Sequence, residues 1–200
     1  MNFRFISSWD DGKRLDLRLA KLLKKYNIPA IFYIPTCCEL TDDEIMSLYK
    51  MGFEIGGHTF SHPQDLKLLN HIELECEIES NKKFLEDILK TKITKFCYPR
   101  GRYDDNVIEA VIKAGYKEAR TTKVLCNKEP DNRFKTSTTI HIYQRSEYKE
   151  IDWLKLAKDL FIKTKKENGV YHLWGHSHEI DRDNNWEKLE ELLKFIRENI

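Results

Sequence analysis

The sequence predicts an α/β protein: one domain built on a parallel sheet of about seven strands. Short segments rich in β-branched and aromatic residues alternate with helical stretches from end to end, the pattern of crossover helices joining parallel strands. Those strands read as apolar on both faces, as in an α/β barrel or a doubly wound sheet. Two hundred residues without a linker, repeat or low-complexity segment give one domain, 1–200, with enough chain for a substantial core.

In order, "NFRFIS" and "PAIFYIP" are strands, and "KRLDLRLAKLLKKYN" between them carries leucines near helical spacing. "TDDEIMSLYKMG" is a helix with Thr41 as its N-cap and Gly52 as its stop. The strand "FEIGG", a long helix in "LNHIELECEIESNKKFLEDILK" and the strand "ITKFCYP" follow. "DDNVIEAVIKAG" is a helix ending on Gly115, before a short strand near "YKEAR" and an irregular stretch over 121–137. "STTIHIYQ" reads as a strand and "IDWLKLAKDLFIKTKKENG" as a helix. The strand "VYHLW" and the helix "NWEKLEELLKFIREN" close the chain.

Composition excludes several roles. Hydrophobic residues make up 40% and charged residues 34%, which fits a globular chain. A net charge of +1 gives no electrostatic case for nucleic acid or a membrane surface as partner. No apolar run is long enough for a membrane span. The amino terminus enters the first strand at once, which leads us to expect a cytoplasmic protein. Five cysteines without framework spacing read as reduced thiols. Oligomeric state has no signature.

Chemistry in such folds gathers in loops at the carboxyl ends of strands. The first strand ends in Ser8-Trp9-Asp10-Asp11-Gly12. Asp-Gly is a common turn dipeptide, but two adjacent carboxylates repel each other unless a cation offsets them. The third ends in "GGHTFSHP", with His58 and His62 at i and i+4, a spacing that puts both imidazoles on one side of a helical turn. Residue 59 is Thr, not the Glu of the metalloprotease H-E-x-x-H. Two histidines and one aspartate make a metal-ligand set with room for water. The second aspartate is then free as a general base. The fourth strand ends in "CYPRGRYDD" and the last in "HLWGHSHE".

Asp10-Asp11-Gly12, His58-x-x-x-His62, Pro99-Arg100-Gly101 and His176 after an apolar strand resemble, in this order, the motifs of the polysaccharide deacetylases. These are the NodB-homology proteins, or carbohydrate esterase family four. The resemblance implies a distorted (β/α) barrel and hydrolysis of an N-acetyl group from an amino sugar, oligosaccharide or glycan, by metal-bound water attacking the amide carbonyl. It implies Asp10 as general base, and Asp11, His58 and His62 as ligands of a divalent metal. Zinc is the first choice, with cobalt, nickel and iron as alternatives. A backbone N–H near Arg100 would stabilise the oxyanion. His176 would be the general acid, with His178 as its rival and Glu179 as a polar neighbour. Tyr98, Tyr103 and Trp174 flank the motifs as sugar-stacking candidates, although each alone reads as packing.

Many members carry an arginine two residues before the proline of the third motif, where it orients the base. Here that residue is Cys97, which leaves Arg100 and Arg102 as candidates for the role. No carboxylate partner for the acid histidine is evident in 121–150. His172 reads as a structural or pore-lining histidine, and His71 and His141 as surface or packing residues. The same fold and metal would also serve a hydrolase of cyclic or formyl amides. A carbohydrate-binding cleft without catalysis is the non-enzymatic alternative.

Overall fold

In the computed structural model, which describes residues 2–200, seven strands form one sheet in the order β5-β4-β3-β2-β1-β7-β6. They are β1 (Arg4–Asp10), β2 (Ile31–Ile34), β3 (Glu54–Gly57), β4 (Lys95–Cys97), β5 (Glu118–Arg120), β6 (Ile140–His141) and β7 (Val170–Gly175). Every neighbouring pair is parallel. The helices are α1 (Asp16–Lys25), α2 (Asp42–Lys50), α3 (His71–Leu89), α4 (Asp105–Lys113), α5 (Trp153–Lys166), α6 (Ser177–Arg182) and α7 (Trp186–Asn199). The sheet curls into an open half-barrel. Arg120, on the edge strand β5, reaches across its interior to Asp10 on β1 and lies over the Trp174 ring of β7.

The expected elements are present, and their ends have local causes. Thr41 and Glu44 close a capping box at the start of α2, and Asn70 and Glu73 do the same for α3. One expectation shrinks, the "STTIHIYQ" strand being reduced to Ile140–His141, and the short helix α6 occupies the loop expected after the last strand.

Two cores result. The large one lies between the sheet and its helices, with Leu19, Leu23, Phe32, Ile78, Phe161 and Leu192 fully enclosed. A smaller one fills the curl: Ile31 and Tyr33 of β2 and Cys97 of β4, with Ile6 against them. The Tyr33 ring crosses β3 at Gly56, where a Cβ would come within 2.5 Å of it, so this position excludes a side chain. Polar residues punctuate the interior. His172 of β7 pairs with the Ser8 hydroxyl at 2.8 Å, consistent with its reading as a structural histidine. No helix among the described residues is long and apolar enough to cross a membrane.

Candidate metal and hydrolase site

The carboxyl ends of β1, β3, β4 and β7, with the loop after β6, enclose an open cleft of about 540 Å³. Asp10, Asp11, His58, His62, Arg100, Trp174, His176 and His178 all line it.

Asp10 is the last residue of β1, and Asp11 leaves the strand with φ of 83°. This left-handed step separates the two carboxylates, and Gly12 extends it with φ of 60°. A Cβ at Gly12 would lie 2.6 Å from that of Cys38, so the turn needs glycine for close approach as well. The turn reading of Asp-Gly and the site reading therefore hold together.

His58 follows β3, and two partners fix it. Asn81 of α3 accepts from the His58 backbone N–H at 2.8 Å and donates to the Ile34 carbonyl at 3.0 Å, tying the ends of β2 and β3 together. The Cys97 carbonyl, which can only accept, lies 2.8 Å from His58 Nδ1. Nδ1 therefore carries a ring proton, and Nε2 faces Asp11. The helical turn expected between His58 and His62 is absent. Thr59 and His62 adopt φ of 71° and 54°, and Thr59 Oγ1 accepts from His62 N–H at 3.1 Å. The i,i+4 spacing still converges the rings, through a strained loop rather than a helix.

The Asp11 Oδ1 atom is 3.5 Å from Nε2 of both histidines. It is buried and makes no hydrogen bond. Burial, with His58 adding to it, pushes His62 down to about 4, so its imidazole is neutral at neutral pH. An orphaned anionic oxygen between two inward-facing imidazole nitrogens is a donor set suited to a divalent cation. These residues fit the metal.

Asp10 has different surroundings. Its Oδ2 accepts from the Arg120 guanidinium and lies 3.8 Å from His176 Nε2, while its Oδ1 is buried with no partner. Arg120 is absent from the sequence reading. Arg102, one candidate for the missing arginine, is exposed and engages the Gln64 carbonyl and Asp65. Arg100, the other, sits in the cleft wall with φ of 56°. The only available sequence signal was position: Arg120 ends a strand at the same mouth as the other motifs.

His176 is the N-cap residue of α6, and its Nδ1 meets Glu179 Oε2 at 2.7 Å. The same carboxylate oxygen is 2.9 Å from Nε2 of His141 on β6. His141, read from the sequence as packing, is thus part of the cleft, stacked on Trp174 at 4.0 Å between ring centroids. Burial lowers the proton affinity of His176, but Glu179 and Asp10 outweigh it and leave the imidazole raised above its ordinary value. Burial and the adjacent His176 lower His178. His178 lies in the first turn of α6, and its ring stays beside that of His176, 5.3 Å between centroids. Tyr98 and Tyr103 do not line the cleft. Tyr98 is enclosed, donates its hydroxyl to the Phe134 carbonyl at 3.0 Å and stacks on Tyr103 at 4.6 Å. Of the aromatics singled out, Trp174 alone is in the wall, with Tyr143 from the loop after β6 beside it.

Comparison with known proteins agrees with this architecture. The YxkH protein of Bacillus subtilis (strain 168) is 30% identical over 122 residues, covering 58% of this chain and 43% of its own. A peptidoglycan deacetylase of Helicobacter pylori (strain ATCC 700392 / 26695) is 26% identical over 101 residues, covering 50% of this chain and 34% of its own. This chain spans less than half the length of either. A solved structure from Mycobacterium smegmatis superposes with a TM-score of 0.74 at 12% identity, covering 98% of this chain and 84% of that one. Residues 4–119 match the family model described as polysaccharide deacetylase, and the chain belongs to that family.

Proposed function

We propose that the protein is a metal-dependent hydrolase that removes N-acetyl groups from an N-acetylated amino sugar, oligosaccharide or glycan. The observation that carries the reading is the division between the two adjacent carboxylates. Asp11 Oδ1 faces two imidazole nitrogens at 3.5 Å, whereas Asp10 is tied to an arginine and leaves one oxygen free.

Asp11, His58 and His62 would hold the cation, zinc being the first choice for two imidazoles and a carboxylate. When bound, it supplies positive charge that acidifies water and polarises the amide carbonyl. Asp10 takes the proton of the attacking water at Oδ1, while Oδ2 stays engaged by Arg120. His176 keeps Nδ1–H on Glu179, so Nε2 is the atom that delivers a proton to the departing amine. Arg100 lines the cleft, and a backbone N–H near it would meet the carbonyl oxygen as charge develops there. The open cleft, with Trp174 and Tyr143 in its wall, favours a sugar over a small cyclic or formyl amide.

The test is hydrolysis by metal-loaded protein of a panel of N-acetylated sugars, their oligomers, cyclic amides and formyl amides. Acetate release from the acetylated sugars, lost with chelator and restored by zinc or cobalt, is the expected result. Full activity in protein shown by elemental analysis to be metal-free would overturn the metal assignment. Turnover confined to cyclic or formyl amides would move the substrate class.

A further inference from the structure

Arg120 is 1% exposed, and its guanidinium is enclosed by four side chains. Its Nη2 donates to Asp10 Oδ2 and to the Cys97 sulfur, and its carbon lies 4.5 Å from the Trp174 ring centroid and 5.3 Å from that of Tyr33. Removing a guanidinium from water is costly, and one carboxylate with two aromatic faces repays it only where the geometry is fixed. A surface arginine that happened to fold inward would not be bracketed this way.

The sheet register explains how it gets there. Cys97 of β4 and Arg120 of β5 are direct partners across the ladder, so they occupy the same row of the barrel interior. An arginine at 97 would start one strand closer to Asp10, about 4.8 Å nearer. In this chain that place holds a short thiol, 3.7 Å from Asp10 Oδ2, and the longer reach comes from the next strand over it. The small side chain at 97 is the space through which Arg120 passes.

We propose that Arg120 is the positioning residue for Asp10, a cation supplied from β5 through the room left by Cys97. This rests on the deacetylase reading above, in which Asp10 is the base. The guanidinium fixes the rotamer of Asp10 by occupying Oδ2, so that Oδ1 alone is presented to the attacking water. Arg120 touches neither substrate nor cation, and it acts only through Asp10.

Arg120 also forms part of the roof of a second cavity, of about 580 Å³, that opens at the opposite end of the half-barrel among Arg4, Glu54, Lys95 and Glu118. Shortening the arginine would therefore leave a hole that a small cation can reach from below without crossing the catalytic cleft.

The experiment compares wild type, Arg120→Met, Arg120→Ala and the double variant Cys97→Arg/Arg120→Ala, all metal-loaded, on an acetylated sugar that wild type hydrolyses. Methionine keeps most of the packing volume between Tyr33 and Trp174. A fall in kcat of about a hundredfold is expected for Arg120→Met, as for a misplaced reacting group, with KM and metal content unchanged. Guanidinium ion at millimolar concentration should raise kcat of Arg120→Ala and leave wild type unaffected. The double variant should recover to within about tenfold of wild type, because arginine returns to the same row. Wild-type kcat in Arg120→Met overturns the proposal. So does a folded, metal-loaded Arg120→Ala that neither guanidinium ion nor arginine at 97 improves, since that is the behaviour of a purely structural residue. If Arg120→Met does not fold, the double variant decides by the same criterion. A wild type inactive on every acetylated sugar would instead remove the deacetylase reading, and the role of Arg120 with it.

Discussion

The Glu179 carboxylate lies 2.7 Å from Nδ1 of His176, three residues earlier in the chain, and holds that imidazole with Nε2 toward Asp10. Glu179 also raises the proton affinity of His176 through its charge. Replacing it by glutamine keeps the shape and removes the charge. Glu179→Gln is expected to lower kcat by about ten- to a hundredfold. The alkaline limb of the pH–rate profile should move to lower pH, because His176 then gives up its proton earlier. An alkaline limb that stays in place would show that Glu179 does not act through His176.

His176 and His178 can be separated in the same assay. His176→Ala is expected to cost roughly a hundred- to ten-thousandfold in turnover with metal content intact, and to flatten the alkaline limb. Burial and the neighbouring His176 hold the His178 imidazole below its ordinary value, the direction opposite to that of His176. His178→Ala should therefore stay within a few-fold of wild type. The reverse ranking would transfer the acid role to His178.

The two aspartates should fail in different ways. Asp10→Asn cannot take a proton and is expected to keep its metal while losing most turnover. Asp11→Asn replaces an anionic ligand by a neutral one and should lose metal affinity first. Metal content by elemental analysis, set beside kcat, checks both. Equal loss of metal in the two variants would end the division of labour proposed for the pair.

A buried acid outside the cleft gives a stability prediction. Asp16, at the start of α1, accepts from Ser177 of α6 at 2.5 Å and from the Lys13 N–H at 3.1 Å. Burial nevertheless pushes its carboxyl up to about 7. A raised carboxyl is protonated in the folded chain where the unfolded chain has ionised. Its stabilising effect is therefore complete below about pH 4 and is lost as pH rises through 7. Asp16→Asn should flatten that fall in urea unfolding measured from pH 4 to 8 with chelator present. An unchanged slope would mean that Asp16 titrates normally.

What the sequence made legible was whatever depends on one strand end at a time. Asp10, Asp11, His58, His62 and His176 are local signals, each a polar residue where an apolar strand stops. What it hid depends on pairs of strands. Arg120 reads as one of many charged residues until the curl of the sheet points it across to Asp10. His141 lies in a two-residue strand, too short for alternation to assign a face, and enters the cleft only because Ile140 and His141 pair with Leu173 and Trp174. Tyr98 erred the other way. It adjoins a motif, but β4 turns its ring outward against Phe96 and Tyr103.

The β1–β7 pairing has a consequence for how the molecule is made. The register joins Arg4 through Trp9 to Val170 through Gly175, so central neighbours in the sheet are synthesised about 160 residues apart. At roughly 5–20 residues per second, β1 waits on the order of ten to thirty seconds on the ribosome before its second partner exists. Asp10 and His176 cannot meet before then, because they sit on those two strands or just past them. Until the last fifth of the chain is made, a growing β1–β5 sheet keeps one edge of β1 open, a point at which a chaperone or a misplaced strand would compete with β7.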